Sequence, residues 1–471
     1  MKISTTKQKT YHKVYLDYSL DIIERLAFTE KEVVYIKEKY LTDKKKQIIV
    51  LNRFDEKLFL CLCQNDDLEN FRCLGNDIQK YINEDKKTIF SFESFIDNED
   101  FSFAFLEGLI LGNYAFDKYL SKKKEKIEHI IILSAFSKEN TVLLLNLCDA
   151  VIIARDLVNE PVTAVNSIIF AEKVKELGKT AGFKVDIFNK TKLESLKFGG
   201  LLAVNKGSID PPTFSIMEWK PRNHINKKPY IFVGKGVTYD SGGMNIKTDR
   251  YMEDMKSDMA GGAVVAALLY IVAKSELPIH VIGLVPATDN RLNGNAMVSG
   301  DIITMFNGKT VEITNTDAEG RLILADALSF ADKYLPELII DIATLTGAAS
   351  RAIGPYGIVA MGKDFGNNMS LLNSAGNQVY ERIVEFPFWE EYDKLNMSEI
   401  ADVNNVSSGG YAGAITAGKF LANFTESPYI HLDIAGPAFI KKRMEYRVSG
   451  ATGCGVRLLF TFLKNLLNNN Y

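Results

Sequence analysis

Apolar and polar positions alternate differently in two parts of this chain. Before residue 140, short apolar runs at 46–51, 58–63 and 129–133 predict strands, and an amphipathic stretch at 103–120 predicts a helix. Strands mixed with helices at this spacing indicate a small α/β domain. We find no cluster of reactive side chains in this part of the sequence.

Residues 141–157 form a long helical pattern that stops near Pro161. Proline commonly follows the end of a helix, so we place the domain connection here. We predict an N-terminal α/β domain over 1–145, a connecting helix or linker over 146–165, and a larger C-terminal α/β domain over 166–471.

Beyond the connection, strand-like and helical runs alternate regularly. Predicted strands cover 183–188, 230–233, 280–285 and 338–342, and predicted helices cover 261–273 and 321–334. Such alternation predicts a mostly parallel central sheet covered by helices.

Composition narrows the class of protein. The chain has 471 residues, 46% hydrophobic and 24% charged, with a net charge of -3. This balance does not indicate binding to nucleic acid or to an anionic membrane. No apolar stretch reaches the roughly 18 residues of a spanning helix, and the N-terminus lacks a signal-peptide pattern. The five cysteines are scattered, which favours a reducing compartment, so we expect a cytoplasmic protein with no membrane partner.

Two windows place charged residues and glycines where apolar runs end. The first, 233–247, and the second, 315–322, resemble strand ends that open into a reactive site. Four carboxylates, two lysines and an arginine in and near them indicate a polynuclear metal site with cations for a substrate oxygen. These residues are Lys235, Asp240, Lys247, Asp258, Asp317, Glu319 and Arg321.

Each motif also has a simpler interpretation. Asp317 and Glu319 could complement the dipole of the helix that follows, and Asp258 could cap a helix. Asp240-Ser-Gly-Gly is also the nucleophile segment of trypsin-like proteases, but its βα surroundings and the absence of triad partners exclude that class. The five histidines are isolated and structural, so a metal site must be oxygen-rich, which suits Mn²⁺, Mg²⁺ or Zn²⁺.

Both windows resemble the leucine (cytosol) aminopeptidase family, whose bacterial members include aminopeptidase A. Residues 315–322, Asn-Thr-Asp-Ala-Glu-Gly-Arg-Leu, match that family's signature, and 233–243 match its first metal segment. The resemblance runs from about residue 105 to the end. Further matching segments are 107–108, 111–114, 155–159, 201–204, 344–348, 413–416 and 431–436. Departures at Thr248, Asp289 and 298–299 involve no implied ligand.

The resemblance implies two divalent metal ions, Mn or Zn with Mg or Co as alternatives. One would be held by Lys235, Asp240, Asp258 and Glu319, and the other by Asp240, Asp317 and Glu319. Lys247 and Arg321 would be the catalytic cations, Lys247 for an oxyanion and Arg321 for a bound bicarbonate. The implied substrate pocket comprises Met255, Asn315, Thr344, Leu345, Gly347, Ala435 and Ala438.

The resemblance therefore predicts a metal-dependent leucyl aminopeptidase. Its substrates would be peptides with a free N-terminus, preferably leucine or another large apolar residue. It also implies a macro-like N-terminal domain, a catalytic metallopeptidase domain and a homohexamer. The alternative is a protein that serves additionally as a DNA-binding accessory factor, which the net charge of -3 disfavours.

Overall fold

The computed structural model describes residues 1–6, 10–42, 46–63, 66–84, 88–124, 126–134 and 136–469. They divide into two compact units. The first comprises Met1–Asp149 and Lys442–Ser449, and the second Ala150–Lys441 and Gly450–Tyr471. The change of unit after Asp149 lies inside the 146–165 segment. The sequence did not indicate that 442–449 belongs with the first unit.

Among its described residues, the first unit is a six-stranded sheet with helices. Its strands are β1 (Lys2–Ser4), β2 (His12–Asp17), β3 (Lys46–Arg53), β4 (Glu56–Cys63), β5 (Ile89–Ser94) and β6 (His129–Ile132). Its helices are α1 (Ile22–Arg25), α2 (Glu30–Thr42), α3 (Leu68–Glu84) and α4 (Glu99–Gly112), and α5 (Lys138–Asn159) begins in it. The strand order is β1-β6-β5-β2-β4-β3, with only the β3–β4 pair antiparallel.

The helix predicted over 103–120 was wrong at its C-terminal end. The helix begins at Glu99 and stops at Gly112, with Asn113 as its C-cap. Asn113 Nδ2 donates to the carbonyl of Ile127 at 2.9 Å, and its Oδ1 accepts from the Ile127 amide at 3.0 Å. This pairing is between residues distant in sequence, so helical periodicity could not reveal it.

The second unit carries the alternating strands and helices. Its strands are β7 (Lys184–Phe188), β8 (Thr213–Trp219), β9 (Tyr230–Gly234), β10 (Gly236–Asp240), β11 (Val281–Asn290), β12 (Ile302–Thr304), β13 (Thr310–Glu312), β14 (Leu338–Ala343), β15 (Ile358–Lys363), β16 (Ile383–Glu385), β17 (Val403–Asn404), β18 (Tyr429–Asp433), β19 (Phe439–Ile440) and β20 (Gly450–Ala451). Its helices are α6 (Ser167–Ala181), α7 (Lys190–Leu196), α8 (Gly199–Asn205), α9 (Asp249–Met252), α10 (Ala260–Lys274), α11 (Glu319–Ala331), α12 (Gly347–Ile353), α13 (Asn368–Gln378), α14 (Gly413–Ala422) and α15 (Val456–Asn469).

The predicted parallel sheet is confirmed. Its order is β16-β15-β18-β14-β9-β11-β8-β7, and β10 pairs with β11. The central pairs β18–β14, β14–β9, β9–β11 and β10–β11 are parallel, whereas β15–β18, β11–β8 and β8–β7 are antiparallel. Parallel strands bring their carboxyl ends to one edge, so residues that follow β9, β10 and β14 can meet there.

Helix α10 is the buried centre of this unit. The segment Arg250–Lys274 is long and apolar enough to cross a membrane, but 89% of its most apolar window is buried inside the fold, as in a core helix. A Cβ on Gly261 would stand 2.0 Å from the Ile342 carbonyl oxygen and 2.9 Å from the Lys235 amide. The glycine therefore lets the helix start directly against the strand ends.

Candidate metal centre and active site

Lys235 lies in the break between β9 and β10, at the carboxyl edge of the sheet. Its amide donates to the Ile342 carbonyl at 3.2 Å, and its carbonyl accepts from Gly262 at 2.7 Å. Backbone contacts to both β14 and α10 thus fix the start of its side chain. A Cβ on Gly320 would come within 2.5 Å of the Lys235 Nζ, so the glycine of the second window makes room for this lysine.

The Lys235 ammonium joins a carboxylate of the second window, Glu319, to Asp258, which lies after the first window. Its Nζ is 2.8 Å from Asp258 Oδ2 and 3.0 Å from Glu319 Oε1, and it donates to the Thr344 carbonyl at 3.1 Å. All three charged side chains are at most 6% exposed. Residues far apart in sequence therefore form one buried charged group.

A second lysine completes the cluster from the other side. Lys247 Nζ is 2.7 Å from Asp240 Oδ2 and forms an ion pair with Asp317 Oδ1. Its side chain is 13% exposed, against 3% for Lys235. Lys247 is therefore the lysine that solvent or a substrate can reach.

Asp240 is oriented by groups around it. Its Oδ1 accepts from the Gly242 amide at 2.8 Å and from Asn290 Nδ2 at 2.9 Å, which leaves Oδ2 facing Lys247. Asn290 ends β11, which runs five residues beyond the predicted strand 280–285. Ser241 Oγ donates to the Asn290 carbonyl at 2.8 Å and accepts from the Gly243 amide at 3.3 Å, so this hydroxyl belongs to the turn.

The simpler interpretation of Asp258 was wrong. The residue that caps α10 is Met259, and Asp258 instead contacts Lys235 and accepts from Thr344 Oγ1 at 2.9 Å. Glu319 does lie in the first turn of α11, where a negative charge favours the helix. Its side chain nevertheless reaches Lys235, so the dipole does not account for its position.

The side chains fit divalent ions. Asp240, Asp317 and Glu319 each offer a carboxylate oxygen, and these oxygens lie within 4.8 Å of one another. Glu319 Oε2 is buried without a hydrogen-bond partner, which is costly unless another cation shares it. Carboxylate oxygens with one amine nitrogen suit Mn²⁺, Mg²⁺ or Zn²⁺. Among the described residues, Asp258 is linked to this group through Lys235.

Burial and neighbouring charges both shift the pKa values of the side chains in this cluster. Burial lowers the pKa of Lys235, but the charges of Asp258, Glu319 and Asp240 outweigh it and hold the pKa above its usual range. Burial, together with the charge of Glu319, raises the pKa of Asp240 to about 6 despite the nearby lysines. With no metal bound, Lys235 is thus an ammonium that must lose its proton before it can act as a ligand.

Arg321 lies in the first turn of α11, two residues after Glu319. Its Nη1 donates to the Asn405 carbonyl at 2.6 Å, whereas its buried Nε has no hydrogen-bond partner. Burial lowers the pKa of this guanidinium to about 10, although Glu319 and Asp433 oppose the shift. The Arg321 side chain is thus a buried cation whose Nε–H can donate a further hydrogen bond.

Five of the seven implied pocket residues follow the carboxyl ends of β14 and β18. Asp433 connects two of them, since its Oδ1 accepts from the Leu345 amide at 3.2 Å and from the Ala435 amide at 3.0 Å. Thr344 contacts Asp258, and Gly347 begins α12. Met255 and Asn315 are half-buried, and the Asn315 side chain accepts from the Asp317 amide at 2.8 Å. Ala438 is 3% exposed, and no contact of its side chain with the cluster is established.

The histidines take structural positions. His431 Nδ1 lies 2.8 Å from Asp341 Oδ1 in the buried sheet, and His280 Nε2 lies 3.0 Å from Glu218 Oε1. Sequence reasoning assigned no role to Asn290, Asn405 or Asp433. Asp433 lies in a segment that matches the family, and Asn290 directly follows the departure at Asp289, whereas nothing around Asn405 distinguishes it from a surface residue.

Comparisons with known proteins agree with this geometry. The profile of the cytosol aminopeptidase family, catalytic domain, matches residues 152–460. The chain belongs to the cytosol aminopeptidase family. A probable cytosol aminopeptidase of Chloroherpeton thalassium is 51% identical over 321 residues, 66% of this chain and 61% of that protein. One of Chlorobium limicola is 44% identical over 382 residues, 77% of this chain and 74% of that protein.

Two solved structures extend the likeness to both units. The bottromycin maturation enzyme BotP in complex with Mn matches with a TM-score of 0.87 and 27% identity, over 97% of this chain and 99% of that one. A tomato leucine aminopeptidase variant matches with the same score and identity, over 99% and 96%. The predicted enzyme class, a metal-dependent aminopeptidase, is confirmed.

Proposed function

We propose that this family member removes N-terminal residues, preferably leucine and other large apolar ones, from peptides with a free amine. The observation that carries the proposal is the trio of carboxylates, Asp240, Asp317 and Glu319, with oxygens within 4.8 Å of one another between two lysines. An oxygen-rich site of this kind can hold two divalent ions. When bound, such ions supply an acidic water and Lewis acids for the substrate's amine and carbonyl.

The burial of each charged side chain indicates which role it would have in the reaction. The ions would be held by Lys235, Asp240, Asp258, Asp317 and Glu319. We assign Lys235 to this role because its Nζ is enclosed by carboxylates and cannot reach a substrate. Mn²⁺ is the metal we favour, since the BotP relative was solved with Mn, and Zn²⁺, Mg²⁺ and Co²⁺ remain alternatives.

Lys247 would stabilise the oxyanion that develops on the scissile carbonyl. It is the more accessible lysine, and the negative charges of Asp240, Glu319 and Asp317 outweigh burial and raise its pKa, so it stays protonated at neutral pH. A fixed cation aimed at developing charge stabilises the transition state more than the ground state. Lys247 acts through this electrostatic contact and needs to transfer no proton.

Arg321 would hold an anion beside the reacting groups. Its unpartnered Nε offers a charge-assisted hydrogen bond in a buried place. Bicarbonate is the anion we propose, and when bound it would supply a group that can accept and return a proton.

Specificity would come from Met255, Asn315, Thr344, Leu345, Gly347, Ala435 and Ala438. None of these side chains carries a charge, so an acidic first residue would be desolvated without a partner. We also propose a cytoplasmic location, in line with the relatives' name, and a homohexamer.

The proposal is tested with protein stripped of metal and reloaded with Mn²⁺, Zn²⁺, Co²⁺ or Mg²⁺. Reloading should restore hydrolysis of leucyl-anilide and bring the content to two ions per chain by elemental analysis. Acetyl-leucyl-anilide, which lacks the free amine, is the control and should not be cleaved. Full activity without divalent metal, or equal cleavage of both anilides, would refute the proposal.

A further inference from the structure

We propose that Asn405 is a positioning residue that holds the Arg321 guanidinium in place for the reaction. The inference rests on the proposed function, because it concerns a group of that site. Asn405 directly follows the short strand β17 and is fully buried. It lies 84 residues from Arg321 in sequence, and no motif marks it.

The side chain of Asn405 is bound mainly to the backbone of the segment before Asp317. Its Oδ1 accepts from the Thr314 amide at 2.8 Å and from the Asn315 amide at 3.3 Å, and its Nδ2 donates to the Asn315 carbonyl at 2.6 Å. Thr314 Oγ1 adds a further hydrogen bond to Oδ1 at 3.1 Å. The amide is thereby fixed to the segment that leads into Asp317 and Glu319.

The contacts of Asn405 extend the pairing between strands β13 and β17. β13 and β17 pair in parallel, with Val311 opposite Val403 and Glu312 opposite Asn404. The backbone N–H of Asn405 extends the pairing by donating to the Glu312 carbonyl at 3.0 Å. A primary amide carries one acceptor and two donors, so the side chain can serve the next residues as a peptide group would.

The backbone carbonyl of Asn405 contacts Arg321, the proposed catalytic cation. The Asn405 carbonyl accepts from Arg321 Nη1 at 2.6 Å, while Arg321 Nε has no partner. The guanidinium is therefore held on one side and left available on the other. A displacement of residue 405 would move Nη1, and reacting groups tolerate little misplacement.

The test uses Asn405→Ala in the full chain, with Asn404→Ala as the matched control. Asn404 is the same residue type one position earlier, and its side chain donates to the Met397 carbonyl outside the cluster. We expect Asn405→Ala to lower kcat on leucyl-anilide by about 10- to 100-fold, the usual range for residues that orient a site. KM should change by less than about 3-fold, and Asn404→Ala should match the wild type.

A double-mutant cycle with Arg321→Ala separates positioning from a general structural role. If Asn405 acts through Arg321, Asn405→Ala should lower kcat by less than about 2-fold in the Arg321→Ala background. The metal content of Asn405→Ala should stay at the wild-type level. If Asn405→Ala does not fold, Asn405→Asp, which keeps the size and the acceptor but loses the donor, enters the same cycle.

Three results would overturn the inference: an undiminished effect of Asn405→Ala in the Arg321→Ala background, an unchanged kcat in Asn405→Ala alone, or loss of metal from Asn405→Ala with kcat recovered by excess metal. The last would assign Asn405 to the ligand segment alone. A wild-type chain that hydrolyses no N-terminal residue would instead refute the proposed function. The two failures are therefore distinguishable.

Discussion

The two lysines of the cluster should respond differently to the same substitution. Lys235 and Lys247 both contact carboxylates in the structure, yet they are proposed to take opposite charge states when metal is bound. Lys235 would be a neutral ligand, and Lys247 a protonated cation beside the substrate. We therefore predict that Lys235→Ala lowers metal affinity, whereas Lys247→Ala lowers turnover and leaves the metal in place.

The size of each effect follows from the surroundings. Without Lys235, Asp258 and Glu319 remain buried and lose an ammonium at 2.8 and 3.0 Å. Removing one partner of a buried ion pair costs about 3–5 kcal/mol, so the metal-free variant should lose that much free energy of unfolding. Added divalent metal should recover part of it. Loss of Lys247 should lower kcat by about 10²–10³, as for other oxyanion donors.

The assay measures metal per chain, kcat on leucyl-anilide, and urea unfolding with and without chelator. Lys206→Ala, which removes an exposed lysine after α8, controls for the loss of a positive charge. If both variants keep two ions at equal affinity, or if Lys247→Ala is the one that loses metal, the assignment of roles is wrong. If all three variants lose the same free energy of unfolding, the burial of Lys235 between carboxylates does not account for its effect on stability.

Four further outcomes are expected. Activity should fall below about pH 6, because the raised pKa of Asp240, about 6, lets protons compete with metal as the pH drops; a flat acid limb in the rate profile with metal retained would contradict this. Leucyl substrates should exceed aspartyl ones by at least ~10-fold in kcat/KM, which needs only ~1.4 kcal/mol of differential binding, and equal rates would count against the uncharged pocket. Light scattering should give about six times the chain mass of 52.7 kDa, and a fully active monomer would exclude a required hexamer. Gel shifts should show no tight binding of duplex DNA, and nanomolar binding with a steep salt dependence would support the accessory role instead.

Much of the fold is determined by local patterns in the sequence. A strand of a buried parallel sheet needs a continuous apolar run, so β9 and β14 were predicted to within a residue, and the uniformly apolar α10 was equally clear. Pro161 marked the end of α5, which stops at Asn159. The charged residues of the two windows could be singled out because clusters of this kind are rare where apolar runs end.

Only the tertiary structure decided how those residues meet. Lys235 is enclosed by Asp258 and Glu319 because Gly320 leaves room for it, and no local pattern predicts that clearance. The role proposed for Asn405 likewise depends on hydrogen bonds to residues far along the chain. Periodicity records which side of an element is buried, whereas such contacts depend on which elements become neighbours. The sequence therefore determined most of the elements and the chemical types at the site, and packing determined which of these side chains contact one another.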